Sequence, residues 1–284
     1  MASHSFKKLQ LRLALIAVVS ALLAGPAFGM FEKPGASARS EGMAGAFTAV
    51  ADEPGAHAVN PAGLALVPGT QFSGAYGLLF GGLGTNLHTG NAAFSQAAGR
   101  FGTAGLAVVE TGFELHSERT LRLAHGLFLA RDLAFGYGVS GYNLYQRDIG
   151  SGYSWGLDLG MLARLYRVWS VGFAARNLNM PRLGTGAEAE LPVRLAFGVA
   201  YRPQAGITSA LDVSKEPGQS TRVSVGQEFR IVPDFLTLRC GVQTAPVRMA
   251  AGLRTGFRNV QVDYALKTHP MLPLEHLFGL AVRF

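Results

Sequence analysis

The chain has 284 residues, 25 basic against 18 acidic for a formal charge of +7, and only 15% of its residues are charged. Soluble domains carry roughly 25%, and basicity this mild, with no clustering on one stripe, gives no case for a nucleic-acid partner. A single cysteine, Cys240, excludes an internal disulfide and a cysteine-rich metal site, and 37 glycines are more than long helices usually carry, because each interior glycine costs about 0.8–1.0 kcal/mol relative to alanine.

Residues 1–29 read as a secretory leader. Lys7, Lys8 and Arg12 form a basic start, Leu13 to Leu23 an apolar core, and Ala27-Phe28-Gly29 a small-x-small cleavage site before Met30. The apolar core is too short to span a bilayer as a helix. Cleavage removes three basic residues and no acids, leaving 22 against 18, or +4. An exported chain without disulfides needs another source of rigidity, and a closed hydrogen-bonded barrel supplies one.

Residues 30–66 are rich in glycine and alanine and lack period-2 alternation. Asn60-Pro61-Ala62-Gly63 marks a bend before the first strand. A segment of such small residues fits inside a barrel where bulkier chain would clash. The other reading is a Gly/Ala linker, which leaves Phe47, Val50, Leu64 and Leu66 nothing to pack on.

From residue 69 the chain divides into alternating segments separated by turn residues. Phe72–Leu79, Leu87–Gln96, Thr103–Thr111, Leu121–Ala130, Leu133–Tyr145, Tyr153–Arg164 and Val168–Arg176 make up the first half. Leu191–Arg202, Ile207–Ser214, Arg222–Arg230, Phe235–Gln243, Val247–Phe257, Val260–Lys267 and Leu274–Phe284 follow. These number about fourteen, an even count as single-chain bacterial barrels require, although twelve also fits. Gly81 to Gly84, Asp148 to Gly152, Asn179 to Ala189 and Lys215 to Gln219 read as loops.

The last strand shows the pattern most plainly. Phe278, Leu280, Val282 and Phe284 share one face, against Leu277, Gly279, Ala281 and Arg283. Repeated from segment to segment, this split places bulky apolar side chains against lipid and small or charged ones in a lumen. The expected fold is therefore all-β, an antiparallel transmembrane barrel whose terminal strand closes against the first and leaves no edge in lipid.

That parity sends Arg122, Arg164, Arg176, Arg194, Arg202, Arg222, Arg230, Arg248, Arg254 and Arg283 inward with Asp158, Asp212, Glu228, Asp263 and Glu275. An arginine facing lipid at the midplane costs about 2–4 kcal/mol. Two readings of the inward charges stay open: ion pairs that stiffen the wall, or an arginine-lined path favouring anionic groups. Inward glycines, among them Gly136, Gly160, Gly172, Gly198, Gly226, Gly252 and Gly279, let another backbone approach or let the wall bend. Tyr153, Trp155, Trp169, Tyr201 and Phe284 read either as interfacial girdles or as ordinary lipid-facing bulk.

The run Gly42-Met43-Ala44-Gly45-Ala46 to Asp52, followed by Asn60-Pro61-Ala62-Gly63-Leu64, resembles the N-terminal hatch of the FadL-like outer-membrane proteins. It is most similar to the shorter PorV/PorQ-type members associated with type IX secretion. The resemblance maps the hatch motif onto Gly42, Met43, Gly45, Ala46, Asp52, Asn60, Pro61, Ala62 and Gly63. It extends more loosely through Glu190-Leu191-Pro192 and Asp263-Tyr264-Ala265. Ala44 stands where a second glycine is usual, and Val59 where an aromatic is frequent.

The resemblance implies a leader at 1–29, a hatch at 30–66 inside a barrel at 67–284, and a place in the outer membrane of a diderm bacterium. The implied function is passage of hydrophobic or amphipathic small molecules, with docking of secretion-system cargo as the alternative. The implied partners are outer-membrane lipid, the barrel-assembly machinery through the last strand, and either a hydrophobic ligand or secretion-system proteins. No enzyme activity, cofactor or metal is expected. Gly152-Tyr153-Ser154-Trp155-Gly156 matches the Gly-x-Ser-x-Gly nucleophile pattern, but alternation follows it where that motif needs a helix.

Overall fold

The computed structural model describes residues 31, 37–80, 86–185 and 189–284. The chain separates into two units at Glu32 and Lys33, and the fold below is that of the second. The expected leader and the Gly81 to Gly84 loop lie outside the described residues.

Residues with period-2 alternation form a ladder of strands. They are β1 (Thr70–Leu78), β2 (His88–Ala97), β3 (Thr103–Phe113), β4 (His116–Ala130), β5 (Leu133–Gln146), β6 (Gly150–Leu165) and β7 (Trp169–Arg176). After β8 (Arg182–Leu183) and β9 (Ala189–Glu190) come β10 (Arg194–Tyr201), β11 (Ile207–Lys215) and β12 (Arg222–Val232). The ladder ends with β13 (Leu236–Gln243), β14 (Arg248–Phe257), β15 (Val260–Lys267) and β16 (Glu275–Arg283). Fourteen of these close into one antiparallel barrel, while β8 and β9 form a separate two-stranded ribbon within the connection from β7 to β10.

Closure is made by β16 against β1, with Val282 opposite Phe72 and Phe278 opposite Tyr76. The Phe284 amide extends the seal to the Thr70 carbonyl at 2.9 Å. Side chains sort by parity as expected: Phe278, Leu280 and Phe284 are exposed on the outside, and Leu277 is buried inside. The expected strand set is recovered with shifted ends. β4 begins five residues before Leu121, and β6 begins at Gly150, inside a stretch expected to be loop. The ribbon likewise falls in the expected loop at Asn179 to Ala189.

Residues 37–66 lie within the barrel as an inner segment. The short helix α1 (Ala38–Gly42) is capped by Ser37, whose Oγ accepts from the Ser40 amide at 3.1 Å. Two 3-10 turns follow, Pro54–Ala58 and Pro61–Leu66. Both start with proline, whose fixed φ and missing N–H suit a first turn. Asn60 caps the second turn through the Ala62 amide at 3.1 Å, and its Nδ2 donates to the Thr48 carbonyl and, at 3.1 Å, to the Met161 carbonyl of β6. One side chain thereby folds the segment and fixes it to the wall.

The wall receives this segment at glycines. A β-carbon at Gly136 would overlap the Pro61–Ala62 backbone, one at Gly172 the Thr48 carbonyl, and one at Gly241 the Met43 backbone. Gly42 and Gly252 meet face to face, and a β-carbon on either would come within 3.1–3.2 Å of the other's Cα, so it would fit only if the two backbones moved apart slightly. The obstacle at Gly136 is backbone, which cannot swing aside. Gly136→Leu is expected to expel the second turn, at an overpacking cost of about 1–3 kcal/mol. Limited proteolysis reads this as cleavage near Asn60 in a barrel that still shows heat-modifiable migration on gels.

Candidate functional site

The barrel interior is filled by the inner segment and by a network of charges. Arg39 of α1 sits at its centre. Its Nε and Nη2 hold both oxygens of Glu228 on β12, at 2.8 and 3.0 Å, and its Nη1 pairs with Asp52 and, at 3.8 Å, with Glu53. Glu228 also accepts from Arg239 of β13 at 2.7 Å; Arg239 continues to Asp263 on β15 at 2.6 Å, and Arg254 of β14 closes on Asp263 at 2.9 Å. Around it Lys267 reaches Glu41 at 2.8 Å and Arg248 reaches Glu275 at 3.5 Å. The Asp212 carboxylate of β11 accepts from the amides of Phe47 and Thr48 at 3.0 and 2.8 Å.

These partnerships couple the inner segment directly to four wall strands: β11 through Asp212, β12 through Glu228, β14 through Arg254, which lies 3.8 Å from Glu53, and β15 through Lys267. Burial opposes the Arg39 charge, but Asp52 and Glu228 outweigh it and raise its pKa well above the ordinary arginine value. Burial pushes the Glu53 carboxyl up, against the pull of Arg39 and Arg254. Beneath the network, toward the barrel end that carries Arg283, lies a cavity of about 230 Å³. Arg39, Arg230, Arg239, Arg254 and Arg283 line it together with Asp52, Glu53, Glu228, Asp234 and Asp263.

A second polar cluster occupies the β4–β7 side. Asp158 accepts from Ser140 Oγ at 2.8 Å and from the Asn177 amide at 3.1 Å, and the Tyr142 hydroxyl donates to Asn177 Oδ1 at 2.6 Å. Arg176 Nη1 donates to the Ala58 carbonyl at 3.0 Å. His57, on the first 3-10 turn, is held to a pKa of about 3 by burial and by the charges of Arg122 and Arg176, against Asp158.

The wall itself is discontinuous beside this cluster. β7 pairs with β6 only from Trp169–Leu165 to Ala175–Leu159. Asn177 then turns with a φ of 56°, and beyond it the regular ladder gives way to a single backbone bond and one side chain. Asn179 Oδ1 accepts from the Leu157 amide at 2.9 Å while its Nδ2 donates to the Trp155 carbonyl at 2.8 Å. Leu178 N donates to the Leu157 carbonyl at 2.9 Å. Above this seam the ribbon buries Leu183 and Leu191, and Leu183 lies against Gly152 of β6.

The expected residues fall as follows. Every hatch-motif residue lies in the inner segment: Met43 against Gly226 and Gly241, Ala46 in its apolar core, Asp52 on Arg39, and Gly63 closely apposed to the Ala51 carbonyl. Ala44, which departs from the motif, has a φ of 53°, in the left-handed region that glycine favours. Asp158, Asp212, Asp263, Arg254, Arg230 and Arg283 face the interior, and Arg194 reaches Glu216 at 3.4 Å. Arg202 donates to Ser170 Oγ at 2.7 Å and Arg222 to the Ala245 carbonyl at 3.3 Å. Arg164, also expected inside, is exposed near the end of β6. Arg239 was absent from the expected charges although it shares the parity of Gly241 and Gln243, while Arg39 and His57 lie where no alternation marks a face. The Gly152 to Gly156 run lies wholly within extended β6.

A closed barrel with apolar side chains outside and ion pairs inside is a transmembrane β-barrel. No protein-family model and no curated protein matches the sequence. Among solved structures, the Ralstonia pickettii toluene transporter TbuX aligns with a TM-score of 0.65 and 14% identity, over 90% of this chain and 100% of that chain. The P. putida toluene transporter TodX gives 0.64 at 14% identity, over 88% and 99% of the two chains. A Pseudomonas aeruginosa FadL homologue gives 0.56 at 13% identity, over 86% and 97%. At these identities the likeness is one of fold.

Two expected outcomes test the site. Glu228→Gln leaves Arg39 and Arg239 without their shared carboxylate, and breaking a buried pair in this way costs about 3–5 kcal/mol. The inner segment should then become protease-sensitive at neutral pH. His57 is neutral in the fold and has an ordinary pKa when unfolded, so its contribution is complete above about pH 6.5 and falls as pH drops toward about 3. Inner-segment protection should decline across that window, and His57→Gln should remove the part of the decline that belongs to His57.

Proposed function

We propose that the chain is an outer-membrane barrel of the FadL-like kind, delivered by the leader at 1–29 and inserted through its closing strand, that passes small hydrophobic or amphipathic molecules. The observation that carries the reading is the seam where β7 ends. There the regular ladder gives way to one backbone hydrogen bond, from Leu178 N to the Leu157 carbonyl, and two made by the Asn179 side chain, beside exposed Leu178 and Met180. A backbone ladder in lipid cannot open without leaving several polar groups unpaired. A junction closed by one backbone bond and one side chain can open at smaller cost.

The lumen supports the same route. Its described cavity is lined by charges, which suits an apolar solute poorly, whereas Leu144, Leu183 and Leu191 are buried at the loop-bearing end beside the seam. A hydrophobic molecule arriving there would leave sideways into the bilayer and avoid the ion-paired core. The likeness to two toluene transporters adds weight to a hydrocarbon-sized solute. Docking of secretion cargo has no observation of its own beyond the sequence resemblance.

The test is uptake of labelled toluene and of a labelled fatty acid by vesicles containing the purified barrel. Asn179→Ala should raise uptake. In a Cys240→Ser background, oxidising the pair Leu157→Cys and Leu178→Cys should abolish it, with recovery on reduction. Uptake that ignores the cross-link would place the route elsewhere.

A further inference from the structure

The two ends of the barrel differ in charge. The six connections at the end that carries Arg283 (β2–β3, β4–β5, β6–β7, β10–β11, β12–β13 and β14–β15) hold five arginines and two aspartates. The seven at the opposite end hold two arginines and five acids. The six are short, the longest being residues 98–102 and 202–206, while the β7–β10 connection at the other end covers residues 177–193. Short turns mark the periplasmic side of an outer-membrane barrel, so the positive end meets the phospholipid leaflet. Four of its five arginines, Arg100, Arg131, Arg167 and Arg258, are exposed, and none has a carboxylate partner among the described residues. The fifth, Arg202, turns inward to Ser170. At the opposite end Arg119 and Arg182 are already held by Glu110 and Glu190, at 2.9 and 2.8 Å.

The free guanidiniums stand beside exposed aromatic rings. Arg100 lies over the Phe101 ring at 4.8 Å and Arg258 over the Phe257 ring at 5.2 Å. Phe257 continues the outward parity of β14 and is 72% exposed, so the guanidinium on it stands outside the wall. Tyr166, next to Arg167, is 91% exposed. Arg167 and Arg258 have φ of 64° and 55°, a region that glycine or asparagine enters at less cost. These turns therefore carry arginine against local preference.

We infer that the turn-bearing rim binds phospholipids whose headgroup carries a net negative charge, with the lipid phosphate on a turn arginine and the upper acyl chain against the neighbouring aromatic. A guanidinium holds two phosphate oxygens at once, and aromatic rings favour the depth where chain meets headgroup. A zwitterionic headgroup offers the same phosphate but brings an ammonium that the unpaired arginines repel. The rim thus discriminates on net charge, and the acids of the opposite end confine the preference to one side of the membrane. The inference rests on the transmembrane fold and not on what the barrel passes.

The chain's two tryptophans make the test possible. Trp169 opens β7 at the turn end, two residues from Arg167, and Trp155 lies toward the loop-bearing end of β6; both are exposed on the outer face. Trp155→Phe leaves Trp169 to report the turn end, and Trp169→Phe leaves Trp155 to report the other. Each barrel is reconstituted in vesicles of phosphatidylcholine and phosphatidylglycerol, with one or the other brominated on its acyl chains and both leaflets alike in composition. Quenching of Trp169 should show phosphatidylglycerol preferred by about fivefold, the effect of one arginine at a charged surface. At Trp155 the two lipids should compete equally. Arg131→Gln combined with Arg167→Gln, on neighbouring turns, should bring the preference at Trp169 close to one, and molar salt should weaken it. Equal competition at Trp169, which needs no arginine variant to fold, would overturn the assignment. So would the same preference at Trp155, or one that survives loss of both arginines.

Discussion

The structure depends on one constraint: the lumen must be filled by backbone, at distances that only glycine permits. A fourteen-stranded barrel encloses more space than small inward side chains can occupy. Here the inner segment takes that space, crossing the wall at Gly252, Gly241, Gly226, Gly198, Gly172, Gly160 and Gly136 in turn. The approach is reciprocal. Gly42, Ala46, Ala49, Ala51 and Ala62 are themselves among the smallest residues available and are buried. The high glycine content is therefore shared between two surfaces that meet, and a side chain added to either one separates them.

Close backbone contact supplies shape but little directionality, and the charges supply the rest. On the β12–β16 side, Glu228 and Asp263 each bridge more than one guanidinium, so the carboxylates act as shared nodes. A buried pair gains little over an apolar replacement but loses much when one partner is removed. Such a network specifies position more than it adds stability. Arg39 can sit only where Glu228 and Asp52 both meet it, which fixes the rotation of α1 against the wall.

Much of this was legible in the sequence, and what was not has physical causes. Strand interiors could be read because lipid imposes the same parity on each of them. The start of β4 was missed because His116 to Thr120 is polar on both faces, with no apolar side to alternate, and Gly150-Ser151-Gly152 hid the start of β6 in the same way. Arg239 was readable by parity from Thr237, Gly241 and Gln243. Arg39 and His57 were not, since the wall groups they face are far away in sequence and their segment has no period. The seam was invisible because it hangs on the backbone of one residue, Asn177.

The two sides of the lumen hold the inner segment by different means, and this bears on where the barrel can yield. Against β12–β16 the segment is held by paired charges, and the strands there are bonded along their length. Against β4–β7 it is held by Asn60, by glycine contacts and by one Arg176 hydrogen bond, and the wall is incomplete. Arg176 ends β7, grips Ala58 and opposes Arg194 across the ladder, so it stands at the junction of the broken wall and the inner segment. A displacement of the 3-10 turns would disturb Arg176 and with it Asn177, whose amide and side chain tie the seam to Asp158 and Tyr142. The weak side of the plug and the weak side of the wall are thus joined through two consecutive residues, and loosening of one reaches the other without crossing the ion-paired half.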